Sequence, residues 1–243
     1  MARVLVTGSA DGLGLAVGTR LIDQGHEVVL HARSDARADS TRHAAPGAAA
    51  VLVGDLSSED GTRALAEAAN ASGRFDAVIH NAGVGGSAGA ATLYAVNVVA
   101  PYLLTALMTK PDRLVYLSSG MHRSGRPELA DFATRAWSYG DTKLVDAALA
   151  AAVARRWADV RSNGVDPGWI KTRMGGAGAP GSLDQGSATQ IWLATGDDPA
   201  ALVSGRYFKD RREERPAAAV LDEGYQDGLL AVLARVTGTD LPS

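Results

Sequence analysis

The stretch that decides the fold is "RVLVTGSADGLG", residues 3–14. It begins with a short apolar run, typical of a buried strand, and then turns through Gly8, Gly12 and Gly14 into a helical pattern. Glycines there let the backbone turn sharply and let a ligand approach without Cβ atoms in the way. The first turn of the helix would offer free N–H groups and a positive dipole end to a pyrophosphate. The stretch therefore predicts a dinucleotide-binding turn, the alternative being a tight turn that binds nothing.

Further apolar runs alternate with helical patterns along the chain. Strands are predicted at 3–7, 27–32, 49–54, 75–80 and 113–119, with weaker ones at 160–165 and 204–209. Helices are predicted at about 13–24, 59–71, 91–109, 138–158, 184–195 and 222–236. Nearly continuous apolar strands are typical of a sheet covered on both faces. The pattern predicts an α/β fold, a doubly wound parallel sheet (Rossmann fold) of about seven strands with helices on both faces, as a single domain over residues 1–243.

Composition excludes several classes of function. The net charge of −3 gives no basic surface for nucleic acid, and the mixed-sign cluster at 206–215 reads as a solvated face. The absence of cysteine excludes disulfides, thiolate metal sites and a cysteine nucleophile, and the five histidines have no metal-ligand spacing. The start "MARVLVTG" lacks the pattern of a signal peptide, and no apolar run approaches the roughly 20 residues that cross a bilayer. We expect a cytoplasmic protein without a membrane or nucleic-acid partner.

The end of the second predicted strand bears on the choice of cofactor. A carboxylate there usually holds the ribose 2′-hydroxyl of NAD, whereas the 2′-phosphate of NADP needs room and a cation. The strand ends "LHARS", with Ala32 and Arg33 and no acid. The planar guanidinium of arginine suits a phosphate. The sequence favours NADP(H), the alternative being that Arg33 is an ordinary exposed arginine.

A second motif is "SYGDTK", residues 138–143. On a helix its spacing places Tyr139 and Lys143 one turn apart on the same face. Such a pair alone is more often a solvated pair on the surface than a catalytic pair. The alternative is an acid whose proton affinity is tuned by the neighbouring lysine.

Taken together, the motifs resemble the short-chain dehydrogenase/reductase family. The resemblance is carried, in the family's order and over about residues 1–175, by "TGSADGLG" (7–14), "NAG" (81–83), "SS" (118–119), "YGDTK" (139–143) and "DPGWIKT" (166–172). The chain is similar to the compact single-domain branch. "SSGMH" and the late "SGRYF" are also similar, more weakly, to retinol-dehydrogenase-like members.

The resemblance implies a role for each matching residue. Tyr139 would be the general acid/base, Lys143 would assist it and hold the nicotinamide ribose, and Asn97 would kink its helix and anchor a water. One of Ser118 and Ser119 would bind the substrate oxygen, and the family pattern favours Ser119. With the turn and Arg33, the cofactor-binding residues would be Gly8, Ser9, Gly12, Leu13, Gly14, Arg33, Asp55, Leu56, Asn81, Ala82, Gly83, Tyr139, Lys143, Pro167, Gly168, Ile170 and Thr172.

The sequence also departs from the family pattern. The segments 84–96 and 173–184 are short or rich in small residues, which predicts an open or shallow substrate site. The family's usual ending is absent, so its tetramer is not carried over and a homodimer stays open. The predicted cleft is mainly apolar, although the two tryptophans could instead belong to the core, and its lining residues are Met121, His122, Trp137, Trp169 and Met174.

These observations predict an NADPH-dependent reductase of a small, neutral, apolar or amphipathic ketone or aldehyde, with the corresponding alcohol as the reverse substrate. Two alternatives stay open. The first is an NADP-binding sensor or scaffold protein without turnover, because a fold does not fix a function. The second is an NAD-dependent alcohol dehydrogenase, which Arg33 and Ala32 disfavour. The sequence names no particular substrate or preferred direction.

Overall fold

A computed structural model describes residues 1–243. Its central feature is one eight-stranded sheet in the order β3-β2-β1-β4-β5-β6-β7-β8, parallel except for the last pair. The strands are β1 (Arg3–Val6), β2 (Glu27–Ala32), β3 (Ala50–Val53), β4 (Ala77–His80), β5 (Arg113–Leu117), β6 (Arg161–Asp166), β7 (Tyr207–Lys209) and β8 (Arg212–Glu213). The sequence predicted seven of them. The eighth has two residues, so it carries no periodicity that a sequence pattern could reveal.

Helices cover both faces of the sheet. They are α1 (Gly12–Asp23), α2 (Asp35–Ala44), α3 (Glu59–Ala71), α4 (Ala90–Tyr94), α5 (Ala100–Leu107), α6 (Tyr139–Arg156), α7 (Leu183–Thr195) and α8 (Glu223–Thr237). Side chains of β1 alternate between the two layers, since Leu5 packs in one core cluster and Val4 and Val6 in the other. The doubly wound α/β prediction is confirmed.

The helix predicted at 91–109 is interrupted. A π-helical segment, Ala95–Val99, separates α4 from α5 and contains Asn97. The whole stretch Ala90–Leu107 is 18 residues long, with a mean hydropathy of 1.5, and it is long and apolar enough to cross a membrane. The expectation that no apolar run approaches this length is therefore wrong. Because 67% of the stretch is buried against neighbours such as α3 and α6, its place in the core accounts for its composition.

Helix α6 lies inside the protein on almost all sides. It packs on β5 and β6, and α8 covers it from outside. Its N-terminus is fixed by a capping box, in which Ser138 Oγ accepts from the Asp141 N–H (3.1 Å) and the Asp141 carboxylate accepts from the Ser138 N–H (3.0 Å). The buried Asp141 also accepts from Arg126 Nη2 (2.9 Å). Tyr139 therefore stands at a firmly held helix start.

Candidate functional site

The glycine turn lies at the carboxyl end of β1, where a doubly wound sheet binds its ligands. Gly8 has a φ of +62°, and a Cβ on it would lie 2.6 Å from the Cα of Ala82. A Cβ on Gly14 would lie 2.4 Å from both Asn81 Nδ2 and the Gly8 oxygen. Only glycine fits either position, because the turn packs there directly against protein atoms.

The segment 81–83 is fastened to this turn. Asn81 Nδ2 donates to the carbonyl oxygens of Thr7 (2.9 Å) and Gly8 (3.1 Å), and Thr7 Oγ1 accepts from the Ala82 N–H (3.0 Å). Beyond it, Gly83 faces the site, since a Cβ there would lie 3.4 Å from Asn97 Oδ1 and 3.6 Å from Lys143 Nζ. The segment therefore connects the glycine turn to the predicted catalytic residues.

His31 on β2 is a residue that sequence reasoning missed. Its Nδ1 accepts from the Gly8 N–H (2.9 Å), and its Nε2 lies 2.9 Å from the carbonyl oxygen of Gly54, so the ring bridges the turn and the end of β3. Burial lowers the pKa of His31, which keeps the ring neutral and its Nδ1 free to accept. An isolated histidine in a strand gives no sequence signal for this role.

The predicted adenosine end lies beyond β2 and β3. Arg33 is exposed, and its charge helps to lower the pKa of Asp55, although hydrogen bonds from Ser57 have the larger effect. Leu56 is buried. Helix α2 was not predicted, and with it the sequence reasoning missed Arg37, which lies 2.5 Å from Asp11 of the glycine turn. The spacing Arg33-x-x-x-Arg37 at a helix start was the available signal.

Tyr139 and Lys143 form the pair that the spacing predicted. Lys143 Nζ lies 5.6 Å from the centre of the Tyr139 ring. The ring is half-buried, whereas Lys143 is buried and donates from Nζ to the carbonyl oxygen of Leu117 (2.7 Å) and to the carboxylate of Asp146 (2.7 Å). The lysine is therefore held rigidly below the tyrosine and is not a solvated surface cation.

The two serines after β5 are in different environments. Ser118 is buried, and its Oγ donates to the carbonyl oxygen of Lys143 (2.7 Å). Ser119 is half-buried, and its Oγ accepts only from the Met121 N–H, at 3.2 Å. The Ser119 hydroxyl thus keeps its proton available for a ligand.

Asn97 is buried in the π-helical segment and fully hydrogen-bonded. Its Oδ1 accepts from the Val84 N–H (2.8 Å), and its Nδ2 donates to the Val84 oxygen (3.0 Å) and to Thr142 Oγ1 (3.1 Å). It therefore ties the segment after Gly83 to α6. These bonds satisfy both ends of the Asn97 amide, and they position Lys143 indirectly through α6.

The loop after β6 closes over the glycine turn. Gly168, next to Pro167, has a φ of +84°, and its N–H is accepted by the Asp166 carboxylate at 2.9 Å. Ile170 is buried. Thr172 lies beside Gly12, where a Cβ would be 3.6 Å from Thr172 Cγ2. In addition, Arg173 forms an ion pair with Asp11, which joins this loop to the turn.

The predicted apolar cleft is only partly as expected. Trp137 is buried and stacks on Tyr94 at 5.3 Å, so it belongs to the core. His122 is fully buried. Its Nδ1 lies 2.7 Å from the backbone carbonyl oxygen of Ser119, and its Nε2 accepts from the Ala217 N–H at 3.0 Å. Neither lines the cleft.

Three other predicted cleft residues are exposed at the same edge of the sheet, namely Met121, Trp169 and Met174, with 54%, 62% and 56% of their surface accessible. Met174 lies against Gly85, and Gly86 adjoins the Cβ of Tyr139. The apolar surface beside Tyr139 is therefore open to solvent, in line with the expectation of an open site.

Comparisons with known proteins agree with this architecture. The family described as short chain dehydrogenase matches residues 2–180. An uncharacterized oxidoreductase from Emericella nidulans is 44% identical over 100% of this chain and 99% of its own length. Mouse retinol dehydrogenase 14 is 28% identical over 90% of this chain and 81% of its own.

Among solved structures, a blue fluorescent protein from a metagenomic library, in complex with NADPH, has a TM-score of 0.72 and 21% identity, covering 86% of this chain and 95% of that one. At this identity the likeness concerns the fold. The family match and the full-length relative go further: this chain belongs to the short-chain dehydrogenase/reductase family of oxidoreductases.

Proposed function

We propose that the protein reduces the carbonyl group of a small ketone or aldehyde with NADPH, reversibly, and that Tyr139 is the general acid/base. The observation that carries the proposal is the juxtaposition of Tyr139 with the buried ammonium of Lys143, which lies 5.6 Å from its ring. Ser119, at the end of β5, adds a hydroxyl that is left free to donate. A phenol beside a cation can supply the proton, and a second hydroxyl can stabilise the developing oxyanion, which carbonyl reduction needs in addition to a hydride.

The residues present fit a dinucleotide. Gly8, Gly12 and Gly14 form the tight turn that leads into α1. Asp11 makes no side-chain cap there, so the first N–H groups of α1 are free for a pyrophosphate. Arg33 and Arg37, with no acid at Ala32, support NADP(H) over NAD. A structural neighbour with the same fold binds NADPH, which is consistent with this choice.

When bound, the nicotinamide ring would supply the hydride to the carbonyl carbon. Ser119 would donate a hydrogen bond to the carbonyl oxygen, and Tyr139 would transfer its phenolic proton to that oxygen as negative charge develops. Lys143 would stabilise the phenolate that this transfer leaves and would hold the nicotinamide ribose. Asn97 would keep α6 and the segment at 84 in register.

The substrate class follows from the surface beside Tyr139. The exposed side chains of Met121, Trp169 and Met174 form an apolar surface that a substrate could cover in place of solvent. Two exposed cations, Lys171 and Arg173, lie in the same loop as Trp169 and Met174, and Arg173 is paired with Asp11 of the glycine turn. We infer a neutral carbonyl compound with an apolar or amphipathic body, and we expect a low specificity for its shape because the site is open.

The proposal is tested with a panel of aliphatic, aromatic and cyclic ketones and aldehydes, each assayed with NADPH and with NADH. We expect turnover of several neutral compounds, with NADPH giving the higher kcat/KM. Tight NADPH binding without turnover of any compound would instead indicate the sensor or scaffold alternative, and a preference for NADH would contradict the cofactor assignment.

Replacing Arg33 or Arg37 by alanine is expected to raise the Kd of NADPH about tenfold in each case, because a charge-assisted hydrogen bond to the 2′-phosphate is lost. The Kd of NADH should stay unchanged, since NADH lacks that phosphate. Fluorescence titration of both cofactors measures the effect. Arg42→Ala is the matched control on α2, where the side chain pairs with Asp39. Equal losses for NADPH and NADH would contradict the assignment.

A further inference from the structure

Asp146 lies one turn beyond Lys143 on α6 and was not singled out in the sequence. Its Oδ2 accepts from Lys143 Nζ at 2.7 Å, and the two side chains are 6% and 5% exposed. An acid on a helix normally lies in solvent, where an ion pair contributes little. Here both charges are buried, so each depends on the other.

The surroundings offer Asp146 no other cation. Tyr116 on β5 is near enough for Asp146 to raise its pKa further, on top of the larger effect of burial, and its hydroxyl pairs with Thr105 at 2.7 Å. His80 on β4 stacks on Tyr116 at 4.7 Å, and burial lowers its pKa to about 3, so it is neutral. The titratable groups next to Asp146 are therefore Lys143 and Tyr116. His80 is linked to Asp146 only through Tyr116, and Tyr139 only through Lys143.

Burial acts on the two partners in opposite directions. It raises the pKa of Asp146 and by itself would lower the pKa of Lys143. Burial is the largest single effect at the lysine, but Asp146 and Tyr139 together outweigh it, so the pKa of Lys143 is raised. Asp146 thus helps to keep the Lys143 ammonium charged, and the carboxylate and the Leu117 carbonyl oxygen fix its direction.

We infer that Asp146 is a positioning residue of the reaction, which holds Lys143 in place and keeps the Tyr139 and Lys143 pair protonated. This rests on the proposed role of Tyr139. Reduction needs both the phenol proton and the ammonium. Without the negative charge of Asp146, the Tyr139 and Lys143 pair would hold its protons less tightly. The pair would then lose its first proton at a lower pH, whichever of the two residues releases it. Asp146 therefore extends reductase activity towards alkaline pH.

The test is the pH profile of kcat/KM for carbonyl reduction in Asp146→Asn. We expect its alkaline midpoint to fall by about one pH unit or more relative to the wild type. On the acid side of that midpoint, where the pair is fully protonated, the rate should be within a few-fold of wild type. An unchanged midpoint in a folded Asp146→Asn variant would overturn the inference. A role in packing alone would lower stability without moving the midpoint.

A conservative variant and a measurement on the wild type complete the test. Asp146→Glu keeps the charge and should keep the wild-type midpoint if it folds. Carboxyl-carbon NMR of wild-type Asp146 should show an inflection at the alkaline midpoint, and Tyr139→Phe or loss of the Lys143 charge should change it. A carboxyl-carbon chemical shift of Asp146 that does not change across that pH range would also contradict the inference. If instead Tyr139→Phe keeps full turnover, the proposed function fails, while the NMR result still reports on the pair.

Discussion

Tyr139→Phe is expected to lower kcat/KM for carbonyl reduction about a thousandfold, the range typical of a lost general acid. The change removes one oxygen and keeps the ring. The ring is half-buried at the first residue of α6, a helix start that Ser138 and Asp141 hold by a capping box. The fold, the position of Lys143 and NADPH binding should therefore all persist. The measurements are steady-state kinetics, a fluorescence titration with NADPH and a thermal unfolding curve.

The matched control is Tyr94→Phe, which removes a phenolic oxygen from another partly buried ring. Tyr94 stacks on Trp137 and lies in the aromatic cluster outside the proposed proton-transfer site. We expect its kcat/KM to stay near that of the wild type. If Tyr139→Phe binds NADPH normally and turns over at the wild-type rate, the proton in this reaction comes from another group and the mechanism is wrong.

The core strands could be predicted because buried strands consist of short runs of apolar residues. Strands β1 to β5 are covered on both faces, so almost every residue in them is apolar. Helix α2 was not predicted, since "DARADSTRHA" buries only Ala38 and Thr41 and shows no apolar stripe. The π-helical break at Asn97 depends on hydrogen bonds to Val84 and Thr142, which are distant in sequence.

The candidate site was predictable where its chemistry depends on local spacing. The glycine turn and the Tyr139 and Lys143 pair each lie within one short motif, so the sequence alone indicated them. Asp146 was not indicated, because a lone acid on a helix is usually solvated. What buries it is the position of α6 between the sheet and α8, a tertiary arrangement. Arg37 was not predicted because helix α2 was not predicted. His31 was not predicted because its hydrogen-bond partners, in residues 8 and 54, are distant in sequence.

Gly8→Ala is expected to lower the free energy of unfolding by about 2–3 kcal/mol and to weaken NADPH binding at least about tenfold. Two costs combine. The residue has a φ of +62°, where an alanine is strained, and its Cβ would lie 2.6 Å from the Cα of Ala82, a backbone atom that cannot rotate away. Relieving this contact must move the turn away from segment 81–83, which lines the proposed cofactor site.

Gly25→Ala separates the two costs, because Gly25 has a φ of +81° and a Cβ added there would meet no atom within 4 Å. It should lose only about 1 kcal/mol from the left-handed backbone and bind NADPH as the wild type does. Denaturant unfolding and NADPH titration compare the two variants. The difference between them isolates the close approach of Gly8 to Ala82. Equal stability losses, with NADPH binding retained in both, would show that the turn can yield there and that this contact does not shape the cofactor site.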